Sequence, residues 1–164
     1  MFRLNFSEKF LNKIALILKE RKYGPEEVIY HPNDKGSMLY FILKGSVELY
    51  LPVKNPSESE FPIVSSLKKG DSFGIYSFFS GKFRETGAIS KQVTSVVMLE
   101  LQDFMNVIKS FEEDYEVFCM MKDKVNLSNS TFGLDVKVKN EMNMETTRYL
   151  LCFYFLTNFC FGNC

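Results

Sequence analysis

Between Val28 and Leu101 the chain breaks into short β-rich runs separated by turn residues, and this spacing constrains the fold more than any other feature. The runs are Val28 to Tyr30, Met38 to Leu43, Ser46 to Leu51, Ile63 to Leu67, Asp71 to Phe73, Arg84 to Ser90 and Thr94 to Leu101. Seven or eight strands this short, punctuated this often, predict a mainly β domain, a barrel or jelly roll. Within it, LYFILKGSVELYL reads as a hairpin, because Gly45 after Lys44 can take the positive φ of a tight turn. The polar, proline-bounded stretch Lys54 to Pro62 reads as the exposed loop of a second hairpin.

Helical patterns flank the β region. Ser7 is a good N-cap, and Phe10, Leu11, Ile14, Leu16, Ile17 and Leu18 recur at helical spacing until Tyr23-Gly24-Pro25 stops them, which predicts a helix over 7–22. After Leu101 the helical period returns: Phe104, Val107, Ile108 and Phe111 make one apolar face, continued by Tyr115, Phe118, Cys119, Met121 and Val125. Asp103 and the Glu112-Glu113-Asp114 cluster sit where carboxylates favour helix starts, so two helices dividing near Ser110 are expected. Four segments follow: an N-terminal helical segment 1–25, a β core 26–101, C-terminal helices 102–126 and a tail 127–164. The tail is polar from Asn126 to Asn143 and Phe, Leu and Tyr rich from Thr147 to Cys164; it either docks on the core, forms a partner surface or is a poorly specified end.

Composition narrows the function classes. Formal net charge is zero, so the long-range field of a nucleic-acid binder is absent. The four cysteines, Cys119, Cys152, Cys160 and Cys164, all fall in the second half, and the N-terminus lacks the basic-then-apolar pattern of a secretion signal; an intracellular protein is expected. No apolar run reaches the roughly 18 residues that span a bilayer. His31 is the only histidine, too few for a metal-dependent β-barrel enzyme, and Cys152, Cys160 and Cys164 lack the paired spacing of a zinc site. No Ser/His/Asp or Cys/His nucleophile arrangement stands out, so catalysis is not expected.

The stretch from Lys69 to Ala88, KGDSFGIYSFFSGKFRETGA, is the candidate site. It reads as turn, strand, glycine turn, short apolar helix, then an arginine entering another strand. Phe73-Gly74 lets the backbone approach a ligand, Ile75, Tyr76 and Ser77 open a helical turn with free N–H groups, and Arg84 supplies a fork of donors. Such a set suits one phosphate group. The alternatives are a surface arginine and a short apolar turn, Ile75 to Phe79, that fills the mouth of the roll.

In order and spacing, several segments resemble the cyclic nucleotide-binding domain family over about Phe10 to Asn126. YGPEEVIYHPNDKGSMLYFILKGSVELYL resembles that family's opening, LKKGDSFGIYSFFSGKFRETGA its phosphate-binding cassette, and LQDFMNVIKSFEEDYEVFCMMKDKV its helical lid. The resemblance implies an eight-stranded β roll, a jelly-roll-like barrel, with an N-terminal helix and C-terminal lid helices, and cAMP or cGMP as ligand with no further cofactor. It implies contacts to the cyclic phosphate and ribose from Phe73, Gly74, Ile75, Tyr76, Ser77, Arg84, Glu85 and Thr86. Where the family has a glutamate that accepts from the ribose 2′-hydroxyl, this chain has Ile75; the family's Ala and Ser/Thr fall on Thr86 and Gly87. Glu85 follows the arginine directly, and strand alternation sends the two side chains to opposite faces, although an ion pair between them stays open.

Two functions are compatible with these residues. One is a non-catalytic regulatory domain that senses cAMP or cGMP and moves its C-terminal helices against an effector domain or partner protein. The other is the same fold without nucleotide, acting as a structural or protein-interaction module. A bacterial-type transcription regulator would need a basic helix-turn-helix after the lid, and residues 127–164 show no such pattern.

Overall fold

The computed structural model describes residues 6–52 and 62–127. Chain order is α1 (Glu8–Ala15), β1 (Lys19–Tyr23), β2 (Val28–Tyr30), β3 (Met38–Lys44), β4 (Ser46–Tyr50), β5 (Ile63–Lys68), β6 (Ser72–Phe73), α2 (Ile75–Ser80), β7 (Gly87–Ser90), β8 (Thr94–Glu100), α3 (Leu101–Ile108) and α4 (Glu112–Leu127). The eight strands of the described residues form two antiparallel sheets, β1-β8-β3-β6 and β2-β7-β4-β5. The roll is therefore open, and the barrel expectation is corrected: among the described residues neither sheet pairs with the other at its edges.

Two local expectations also change. The helix expected over 7–22 ends at Ala15, and Lys19–Tyr23 is a strand paired with Thr94–Met98. Its sequence, KERKY, has charged side chains at four exposed positions, a composition suited to an edge strand that discourages further pairing. The second change concerns LYFILKGSVELYL. β3 and β4 do not pair: β3 lies between β8 and β6, while β4 lies between β7 and β5. Gly45 has φ +92°, and a Cβ there would collide with Thr94, so this residue turns the chain from one sheet into the other. The hairpin expected from β4 to β5 is present as strand pairing, with Leu51 N–H donating to Pro62 O at 3.0 Å. Most of its loop, and the tail with Cys152, Cys160 and Cys164, lie outside the described residues.

Two apolar clusters stabilise the domain. Between the sheets lie Tyr23, Tyr30, Tyr40, Ile42, Val47, Leu49, Leu67, Phe73, Ala88 and Val96. The second joins α1, α2, α3 and α4 to the outer face of the β1-β8-β3-β6 sheet, with Phe10, Phe78, Phe79, Phe104, Ile108 and Phe118 at its centre. Phe104 is the hub: its ring centroid is 5.5 Å from Phe10, 5.5 Å from Phe78 and 5.4 Å from Phe118. Tilted and edge-on pairs of this kind add about 0.5–1.5 kcal/mol each beyond the area they bury. The expected division of the C-terminal helices is observed, with Lys109–Phe111 between them.

Candidate functional site

The site forms where the chain crosses from one apolar cluster to the other. Phe73 belongs to the cluster between the sheets, and Ile75 to the helical cluster. Gly74 makes the crossing at φ +81°, and a Cβ on it would collide with the Arg84 guanidinium, so both its backbone angle and its lack of a side chain are used.

Arg84 is 3 % exposed. Its Nη1 donates to Gly74 O at 2.8 Å, and Nη2 donates to Met38 O. Its guanidinium carbon lies 4.4 Å from the Tyr30 ring centroid and 5.8 Å from that of Tyr40, whose ring stacks on Phe73 at 4.7 Å. Arg84 Nε is buried without a partner among the described residues. The guanidinium is thus a buried positive charge held by carbonyl dipoles and aromatic faces instead of a carboxylate. Burial raises the Tyr40 pKa, and the positive charge of Arg84 partly opposes that shift. The backbone at Arg84 is fixed as well: its N–H donates to Asp34 O at 2.8 Å, and its carbonyl accepts from Asn33 N at 2.7 Å.

The remaining sequence-predicted residues separate. Ile75 is 1 % exposed and packs into the helical cluster. Tyr76 is buried too, with its hydroxyl accepting from Lys82 Nζ at 3.0 Å. Ser77 is buried beneath the loop before β3, where any Cβ on Gly36 would collide with it. Glu85 is exposed while Arg84 is buried, and Arg84 bonds backbone carbonyls rather than this neighbour. Partial burial raises the Glu85 carboxyl pKa, and Lys82 works against that shift. Thr86 is half-buried in the bend before β7, so the strand expected from Arg84 begins only at Gly87. Phe73, Gly74 and Arg84 are the expected residues that come together. Sequence reading missed Tyr30, Tyr40 and Met38 O, which reach Arg84 from β2 and β3; nothing local marks a tyrosine that will lie under a guanidinium.

The helix α2 connects this site to α3 and α4. Its Phe79 ring packs 5.6 Å from Phe118 of α4, and Phe78 packs on Phe104 of α3. Among the described residues no group of His, Cys, Asp or Glu could hold a metal ion, and no helix is long and apolar enough to cross a membrane.

The family model for the cyclic nucleotide-binding domain matches residues 20–111, more than half of the chain. The chain belongs to the cyclic nucleotide-binding domain family. Domains of this kind are typically regulatory rather than catalytic. The potassium channel SKOR of Arabidopsis thaliana is 30 % identical over 108 residues, which are 66 % of this chain and 13 % of the channel. Among solved structures, the catabolite activator protein of Thermus thermophilus superposes with TM-score 0.60 at 18 % identity, covering 84 % of this chain and 63 % of that one. The N-terminal domain of a transcriptional regulator from Streptomyces coelicolor A3(2) gives TM-score 0.63 at 14 % identity, covering 77 % and 89 %. At such identities the two structures support the fold.

Proposed function

We propose that this domain is a non-catalytic regulatory module that takes the phosphate of cAMP or cGMP at Arg84 and couples its occupancy to the helices after Leu101. The observation that carries this reading is the buried Arg84 guanidinium, which among the described residues has an unpartnered Nε and donates to no carboxylate. A buried charge is costly unless compensated, and a bound phosphate supplies the missing countercharge with bidentate geometry. The first-turn N–H groups of α2, from Ile75 to Ser77, lack intrahelical acceptors and are the further donors, with Phe73, Glu85 and Thr86 as the remaining contacts of this reading. Ile75 lies in the helical cluster and has no acceptor for a ribose hydroxyl, so affinity is lower by about 1.5–3 kcal/mol, one to two decades. Ligand shifts the lid only as far as it binds one lid position better than the other. The channel relative suggests an intracellular effector at a membrane, engaged through α3 and α4; a nucleic-acid partner is not part of this reading.

A second reading is favoured by one specific observation: the terminal nitrogens of Arg84 are already engaged by Gly74 O and Met38 O. In that case the arginine staples its own cassette, and the domain is a structural or protein-interaction module. Melting of the purified chain with millimolar cAMP or cGMP separates the two. For a dissociation constant near 100 μM, 1 mM ligand adds about 1.4 kcal/mol and raises the melting temperature by several degrees. The rise is expected to vanish in Arg84→Lys, which keeps the charge and loses the fork. No rise with either nucleotide in a folded sample leaves the second reading.

A further inference from the structure

Asp114 is a charged residue that the cassette does not use, yet it is 3 % exposed. It is the third residue of α4, and its two carboxylate oxygens accept from one residue 107 positions away: Oδ1 from Ser7 N at 2.5 Å and Oδ2 from Ser7 Oγ at 2.6 Å. Ser7 is at the same time the N-cap of α1, its hydroxyl oxygen accepting from Phe10 N at 3.3 Å. One carboxylate therefore lies at the N-terminal ends of two helices, where both dipoles favour negative charge. Charge-assisted bonds this short, shielded from water, are the strong kind.

The helices joined in this way differ in position. α4 rests on the cassette helix through Phe118 and Phe79, whereas α1 rests on α3 through Phe10 and Phe104. We propose that the Ser7–Asp114 pair is a latch that makes α1 part of the lid, so that α4 leaves the cassette helix only by carrying α1 with it or by releasing Ser7. The coupling rests on the contact itself and holds whether or not a nucleotide occupies the cassette.

Hydrogen exchange on the full chain tests it. Ser7→Asp keeps a good N-cap for α1 but sets a second carboxylate against Asp114. The latch predicts that amides over 112–121 exchange at least tenfold faster in this variant, with β4 and β7 unchanged. Adding Asp114→Asn restores a donor opposite the new carboxylate and is expected to bring α4 exchange back to within about threefold of the parent. Unchanged α4 exchange in Ser7→Asp, or acceleration that Asp114→Asn does not reverse, would overturn the proposal and leave Asp114 as a local cap. Thermal melting of both variants with nucleotide reports separately on the cassette.

Discussion

The Arg84 guanidinium donates to the carbonyl of Gly74 at 2.8 Å, ten residues back along the chain, and lies where a side chain on Gly74 would have to be. Arginine and glycine are thus one device: the positive φ turns the chain into α2, and the missing Cβ leaves room for the charge that the turn's carbonyl holds. Gly74→Ala is expected to lower stability by about 1–3 kcal/mol through left-handed strain and displacement of Arg84. Urea unfolding measures it. A loss below about 0.5 kcal/mol would show that the guanidinium moves aside freely.

Ile75 stands where the family resemblance implies a glutamate, and its burial among the helices predicts that one substitution does not restore a ribose acceptor there. Ile75→Glu would place a carboxylate in an apolar cluster that contains Phe10, Phe104 and Phe118. Expected are a destabilisation of about 3 kcal/mol or more and no gain in cAMP-dependent melting shift. A stable variant that binds cAMP more tightly would show that position 75 reorients toward ligand.

Much of this architecture was legible in the sequence. β2, β4, β5 and β8 follow apolar and β-branched runs bounded by turn residues, and the N-cap of α1 and the break between α3 and α4 follow local chemistry. What was not legible depends on partners distant in the chain. Lys19–Tyr23 has no apolar alternation; it is a strand because β8 offers it an edge, and tertiary pairing overrides helical spacing. Gly45 signals positive φ equally for a hairpin and for a corner between sheets, and only the pairing of β3 with β8 decides. Likewise Arg84 could be recognised as a candidate, but its burial follows from Tyr30 and Tyr40, placed by strand register.

The contact of α4 with α2 and α3 has a measurable strength. Phe118 is buried against Phe79 and Phe104, so Phe118→Ala is expected to cost about 3–5 kcal/mol if α4 stays docked and the cavity persists. Undocking of α4 alone would instead give a smaller loss together with fast amide exchange over 112–127 and an unchanged β roll. Equilibrium unfolding combined with hydrogen exchange distinguishes these outcomes; a loss under 1 kcal/mol with full protection of α4 would remove Phe118 from the coupling.

Alkaline pH probes the cluster between the sheets through Tyr23. Its side chain is buried, and desolvation pushes the hydroxyl up to about 12 from the ordinary 10.0, with a smaller contribution from Tyr40 and opposition from Arg21. A raised folded-state pKa means that the native state holds its proton after the unfolded chain has released it. The stabilisation is therefore fully present below pH 10 and is lost as pH rises from about 10 through 12. A shift of this size corresponds to roughly 2–3 kcal/mol, reduced by whatever water reaches the hydroxyl. Melting temperature should fall steeply above pH 10 in the parent and less steeply in Tyr23→Phe, which has no proton to lose. Parallel pH profiles in the two proteins would mean that Tyr40, whose pKa burial also raises, dominates the alkaline transition.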